Sequence, residues 1–203
     1  MQLDSLSLAS LDIPFKVAFQ HSSATRDKTE TAWVVLSAEG LTGHGESCPR
    51  RYVTGEDMAS VERFFQQHQQ DLKSTISDLR SLKQWVTSHE EAINQNPAAW
   101  CAIELAMLDL LAKENFCTVE QLLGMGPVPD EFTHSGVLGD GEIEIFSGQV
   151  EQYAALQMSD FKIKLSADAA RNLEKIEALK KIIPGSRLRL DANNLWQDSA
   201  AAI

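Results

Sequence analysis

The sequence predicts a chain in two parts, an α+β amino-terminal part followed by a parallel α/β part, and three observations carry that prediction. Residues 2–46 show short β-type runs separated by turn residues. Residues 55–123 carry helical apolar spacing almost without interruption. The stretch from Phe161 to Trp196 reads strand, helix, strand, the pattern of a parallel crossover unit.

Taken in order, Gln2 to Ile13 alternates loosely, Thr31 to Ala38 is rich in Trp and Val, and Thr42 to Glu46 follows the tight turn Glu39-Gly40. These predict an antiparallel three-stranded meander. Between its first two strands lies Phe15 to Lys28, a polar loop with Phe19, His21 and Arg26 that is long for a hairpin; such loops are usually functional or disordered. In Gly43-His44-Gly45-Glu46 the glycines suit a tight turn, and Thr54 with Asp57 forms a candidate capping box for the next helix. Met58, Val61, Phe64 and Phe65 mark one amphipathic helix, and Leu79, Leu82, Trp85 and Val86 another.

Asn96-Pro97 opens the strongest helix, Asn as N-cap and Pro in the first turn. Its run from Ala98 to Leu111 is apolar on most faces and must be buried; Glu104 and Asp109 within it are expected to answer hydrogen bonds rather than do chemistry. Gly124 to Pro129 reads as a linker. Phe132 to Leu138 is then a strand with Thr133 and Ser135 on one face, followed by a short helix over 142–158.

The next unit carries the chemistry. In Phe161-Lys162-Ile163-Lys164-Leu165, period two puts both lysines on one face and the three apolar residues on the other. Ala167 to Ile183 is an amphipathic helix with Ser166 as candidate N-cap and Pro184-Gly185 as its stop. Arg187-Leu188-Arg189-Leu190 then runs into Asp191-Ala192-Asn193. A right-handed crossover places the two strands side by side, so Asp191 falls beside Lys164 at the strand ends where parallel α/β folds do chemistry. A carboxylate there suits a divalent hard cation.

Composition narrows the function classes. The 203 residues are 43% hydrophobic and 23% charged, an ordinary globular balance, and the formal charge of -11 argues against nucleic acid or an anionic membrane as partner. No apolar run approaches the ~20 residues of a membrane span, and Met1-Gln2-Leu3-Asp4 lacks the basic start of a signal peptide. The reading is a cytoplasmic protein. Cys48, Cys101 and Cys117 are unclustered and fit reduced thiols better than disulfides or zinc.

Lys162-Ile163-Lys164 followed one βα unit later by Asp191-Ala192-Asn193 resembles the enolase superfamily, and within it the muconate-lactonising subgroup. Gly43-His44-Gly45-Glu46, Thr54-Gly55-Glu56 and the Ala-Ile-Glu-Leu-Ala pattern ending near Leu122-Leu123-Gly124 strengthen the resemblance. It implies a fold class: an α+β capping domain over 1–124 and the start of a TIM-barrel-like (β/α) barrel over 130–203. It also implies roles, with Lys164 as acid/base catalyst, Lys162 tuning it and Asp191 as the first Mg2+ ligand. The chemistry wants these types, since a carbon acid beside a carboxylate yields its proton only if a metal stabilises the enolate while a nearby base acts.

The resemblance further makes the Phe15–Lys28 loop a lid in which Arg26 pairs with a substrate carboxylate, with Tyr52 and Arg51 on a second lid. Thr133, Ser135 and Asn193 join Arg26 and Tyr52 as substrate-binding candidates. The implied activity is Mg2+-dependent epimerisation of a small carboxylate such as a dipeptide; alternatives are syn-dehydration to o-succinylbenzoate and muconate cycloisomerisation. A closed homo-oligomer is the default for such barrels. A complete member would add two acidic ligands and an opposite-face lysine, so the expectation is that these 203 residues are part of a longer polypeptide or a partner-dependent fragment, inactive alone.

Overall fold

The computed structural model describes residues 2–21, 24–193, 195 and 196. They fall into two compact units: Met1–Pro14 with Lys28–Val128, and Phe15–Asp27 with Pro129–Ile203. In chain order the first elements are β1 (Ser5–Leu11), β2 (Pro14–His21), β3 (Ala24–Lys28), β4 (Thr31–Ala38) and β5 (Leu41–Ser47). Helices α1 (Met58–Thr75), α2 (Leu79–Ser88), α3 (Glu90–Gln95), α4 (Pro97–Glu114) and α5 (Val119–Leu122) follow.

The sheet of the first unit is antiparallel with order β1-β4-β5, as the meander pattern predicts. Ser5 pairs with Ser37 and Leu11 with Thr31, while Ala32 pairs with Ser47 and Ala38 with Leu41. Glu39 and Gly40 both take positive φ, 52° and 81°, the twist that a two-residue hairpin loop needs. Ala32, Val34, Leu36 and Ala38 point inward and pack with Val61, Phe64, Trp85, Ile103, Met107 and Leu110.

The glycines of Gly43-x-Gly45 do not make a turn. They lie within β5, where α4 crosses so closely that a Cβ on Gly45 would overlap the Ala102 carbonyl and one on Gly43 the Ala106 carbonyl. The helix also serves the outer edge of this strand. Asp109 accepts the His44 N–H at 2.8 Å, and Lys113 donates to the Thr42 carbonyl at 2.7 Å and to Asp109 at 2.7 Å.

Several expectations are corrected. The polar stretch 15–28 is not an irregular loop but a paired two-stranded sheet, β2 with β3; the alternation Phe15, Val17, Phe19 carries the strand signal. The side chains of Phe19 and His21 lie outside the described residues. Thr54 does not cap α1. Asp57 does, accepting the Ser60 N–H at 2.8 Å in a reciprocal box with the Ser60 hydroxyl. Asn96 stands at the N-cap position of α4 but its amide donates back to the Ala92 carbonyl, and the cap is supplied by Glu56, which accepts from Ala98 N–H at 2.8 Å and Ala99 N–H at 2.9 Å. Helix α3, which the apolar spacing does not mark, has no buried residue.

The second unit continues with β6 (Gly136–Leu138), α6 (Ile143–Ala155), β7 (Asp160–Lys164), α7 (Ala169–Ile182) and β8 (Arg187–Asp191). Its strands are parallel in the order β6-β7-β8. Leu138, Phe146, Val150, Phe161, Ile163 and Leu179 form a core between strands and helices. The first strand is shorter than expected. Because β7 begins at Asp160 and Gly136 already pairs with Phe161, the residues ahead of Ser135 have no ladder to join; the strand starts at Gly136, and Thr133 and Ser135 sit exposed before it instead of on its face. The cap of α7 is Asp168, which accepts from Ala170 and Arg171; Ser166 braces Asp168 by accepting its N–H at 3.2 Å.

Candidate active site

Strand β7 buries Phe161 and Ile163 toward the helices, so period two turns Lys162 and Lys164 to the opposite face. Parallel register sets Lys162 against Arg189 and Lys164 against Asp191. Equivalent positions of adjacent parallel strands point the same way, which brings Asp191 onto the lysine face. Its Oδ2 receives both ammonium groups, Lys162 Nζ at 2.5 Å and Lys164 Nζ at 2.7 Å.

Asn193 closes the group. With φ of 46° it sits in the left-handed region that Asn tolerates better than most residues. There its backbone N–H donates to Asp191 Oδ1 at 3.0 Å and its side-chain oxygen accepts from Lys164 Nζ at 2.8 Å. Its Nδ2 is buried and has no hydrogen-bond partner among the described residues. Lys164 is the most enclosed of the charged groups, its side chain 12% exposed against 31% for Lys162.

Hydrogen bonds from Lys162 and then Lys164, with smaller help from the Asn193 N–H, hold the Asp191 carboxyl far below the usual carboxylate range. It is therefore a fixed anion, with two cations on one oxygen. Chemically the arrangement offers an ionised oxygen donor at a strand end and an amine held next to a second amine.

The structure thus brings together Lys162, Lys164, Asp191 and Asn193. Arg26 lies on β3 with its guanidinium 5.8 Å from the centroid of the Phe15 ring. Tyr52 is exposed in the turn before α1. Asp191 fits as one oxygen ligand of a hard cation. Among the described residues no group of three or more His, Cys, Asp or Glu side chains could hold a metal ion, so the remaining ligands of a Mg2+ site would have to come from elsewhere.

One charged cluster escaped sequence reasoning. Lys175 of α7, its side chain 1% exposed, bonds Asp140 in the β6–α6 connection and lies 5.9 Å from the Phe146 ring centroid. Arg171, one turn earlier, donates to the Gly141 carbonyl at 3.0 Å and to Glu142 at 3.2 Å. The i, i+4 spacing of Arg171 and Lys175 is visible in the sequence, but so are many solvated pairs of that kind.

Comparison with known proteins bears on what this geometry serves. The sequence model of a family described as mandelate racemase / muconate lactonizing enzyme, N-terminal domain, matches residues 7–124. The chain is 25% identical over 211 residues to a hydrophobic dipeptide epimerase of Enterococcus faecalis, a match covering 100% of this chain and 57% of that protein. It is 28% identical over 213 residues to a chloromuconate cycloisomerase of Cupriavidus pinatubonensis, covering 100% of this chain and 56% of that protein.

Among solved structures, the dipeptide epimerase from Methylococcus capsulatus, complexed with Mg and the dipeptide L-Arg-D-Lys, superposes with a TM-score of 0.83 at 23% identity over 95% of this chain and 54% of that one. The substrate-liganded L-Ala-D/L-Glu epimerase from Bacillus subtilis gives 0.86 at 22% identity over 97% of this chain and 55% of that one. The chain therefore spans about half the length of the relatives it matches.

Proposed function

Because the chain belongs to the mandelate racemase / muconate lactonizing enzyme family, we propose that it supplies the capping domain and the first strands of a (β/α) barrel of a Mg2+-dependent isomerase. The reaction is abstraction of the proton alpha to a carboxylate and its return on the other face, as in dipeptide epimerases. The observation that carries this reading is the convergence of Lys162, Lys164 and Asp191 on the C-terminal ends of two adjacent parallel strands.

In this reading Lys164 is the base. Its position on β7 is rigid, because Phe161 and Ile163 on the other face are locked in the core. Lys162, two residues earlier on the same face, shares the Asp191 Oδ2 with Lys164 and so helps fix where the Lys164 amine sits. Asn193 orients Lys164 through its side-chain oxygen and has Nδ2 left to donate to a substrate oxygen. Asp191 is one Mg2+ ligand, and the ion when bound supplies positive charge that stabilises the enolate. Arg26 and Tyr52 serve as lid residues, with Arg26 facing a substrate carboxylate, and Thr133 and Ser135 stay candidates for substrate contact from the exposed segment before β6. The setting is cytoplasmic; among the described residues no helix is long and apolar enough to cross a membrane.

The test is α-proton exchange. Incubating the natural gene product with a dipeptide library in heavy water, with and without Mg2+, should show metal-dependent deuterium incorporation. Lys164→Ala should lower it by on the order of a thousandfold, the scale of a lost general base. Exchange by Lys164→Ala at the parental rate would sink the assignment. The 28% identity to a chloromuconate cycloisomerase favours a second reading, in which the same first step leads to cycloisomerisation. Syn-dehydration to o-succinylbenzoate uses that step as well. Product analysis separates these outcomes.

A further inference from the structure

The segment between β5 and α1 ends in two adjacent carboxylates that cap two different helices. Asp57 accepts the Ser60 N–H with Oδ1 at the start of α1. Glu56, 2% exposed, accepts the Ala98 and Ala99 N–H groups at the start of α4. The other oxygen of Asp57 holds the Arg51 guanidinium. At the far end, Arg50 donates to the Glu30 carbonyl at 3.4 Å and to the Pro49 carbonyl at 2.9 Å, while its own carbonyl accepts the Val53 and Thr54 N–H groups at 3.0 and 2.9 Å. Gly55, at φ of 78°, makes the bend that returns the chain to Glu56. What projects from this base is Tyr52, 47% exposed, and Val53, 69% exposed.

We propose that Glu56 is a positioning residue, whose carboxylate ties this turn to the first turn of α4 and so holds the Tyr52–Val53 tip in one place for contact with a bound ligand. The inference rests on the reading of Tyr52 as a lid residue. A distant cap is an unusual choice if capping α4 is all that is needed, because Asn96 already stands at the N-cap and could accept those N–H groups itself. Its amide turns away to Ala92, and the donors are left to a residue 42 positions earlier in the chain. Such a long-range cap does little that a local one cannot, except fasten the segment that carries it. Burial adds to the hold, since a carboxylate pulled off two N–H groups in a closed site leaves all three without partners.

The experiment uses native-state trypsin digestion of the natural gene product, because Arg50 and Arg51 are themselves cleavage sites. Cleavage after Lys113, which lies in the last turn of α4 and is bonded to Asp109 and Thr42, is the reference for loosening of the unit away from this turn. Glu56→Ala should raise the rate after Arg50 and Arg51 by about tenfold relative to the rate after Lys113, the scale expected of a lost cap. Glu56→Gln, which keeps one acceptor oxygen, should fall between, and it decides the matter should Glu56→Ala not fold. Loop cleavage that rises only in step with cleavage after Lys113 would make Glu56 a stability cap and overturn the proposal, as would unchanged rates. No substrate enters this measurement, so absence of α-proton exchange in the parent would count against the enzymatic reading and leave the tryptic result standing.

Discussion

His68 is 7% exposed on α1, its ring 4.5 Å from that of Phe64 and edge-on to Trp85 and His89. Burial, and then the nearby His89, push its pKa below the ordinary 6.5, with Asp71 opposing weakly. A depressed histidine stabilises the fold in its neutral form. Its contribution is complete above about pH 6.5 and is lost as the pH falls from there through the folded-state value. The urea midpoint of the parent should therefore drop below pH 6.5 more steeply than that of His68→Gln; parallel curves would show that His68 stays out of the titration. In the sequence His68 stands four residues after Phe64 and four before Leu72, on the apolar stripe of α1, but spacing alone does not tell a buried imidazole from one at the margin of the stripe. By contrast the roles of Lys162, Lys164 and Asp191 as neighbours are legible, because strand alternation and parallel pairing are both short-range rules. Thr133 and Ser135 fall outside the strand that alternation suggests for them, because alternation says which face a residue takes only once a partner strand is known to reach it.

Helix α7 is fastened by charge as well as by its apolar face. Removing one partner of a buried pair leaves the other charge uncompensated, at a cost of about 3–5 kcal/mol. Asp140→Ala should cost that much by urea unfolding, since it strands the Lys175 ammonium, whose side chain is 1% exposed. Adding Lys175→Met should restore most of the loss, because a thioether of similar length fills the site beside Phe146 without a charge to solvate. A double variant as unstable as the single one would mean that the pair matters for packing alone. Elements were legible where their period was strong, as in α1, α2, α4 and the unit from β7 to β8. Helix caps were not, because Asp57, Asp168 and Glu56 compete with Thr54, Ser166 and Asn96 on equal chemical terms, and only tertiary position chooses between them.

At the scale of the molecule, the division into an α+β part and a parallel part follows from patterning, whereas Phe15–Asp27 groups with the second unit although it lies in sequence within the first. That assignment depends on long-range contacts that no local pattern encodes. One feature of the first unit acts beyond the single molecule. A strand at the margin of a sheet is a template on which a neighbouring chain can grow, and β5 is such a margin. With Asp109 and Lys113 already holding its His44 N–H and Thr42 carbonyl, that template is closed, and self-association through this strand would have to begin by prising a helix away.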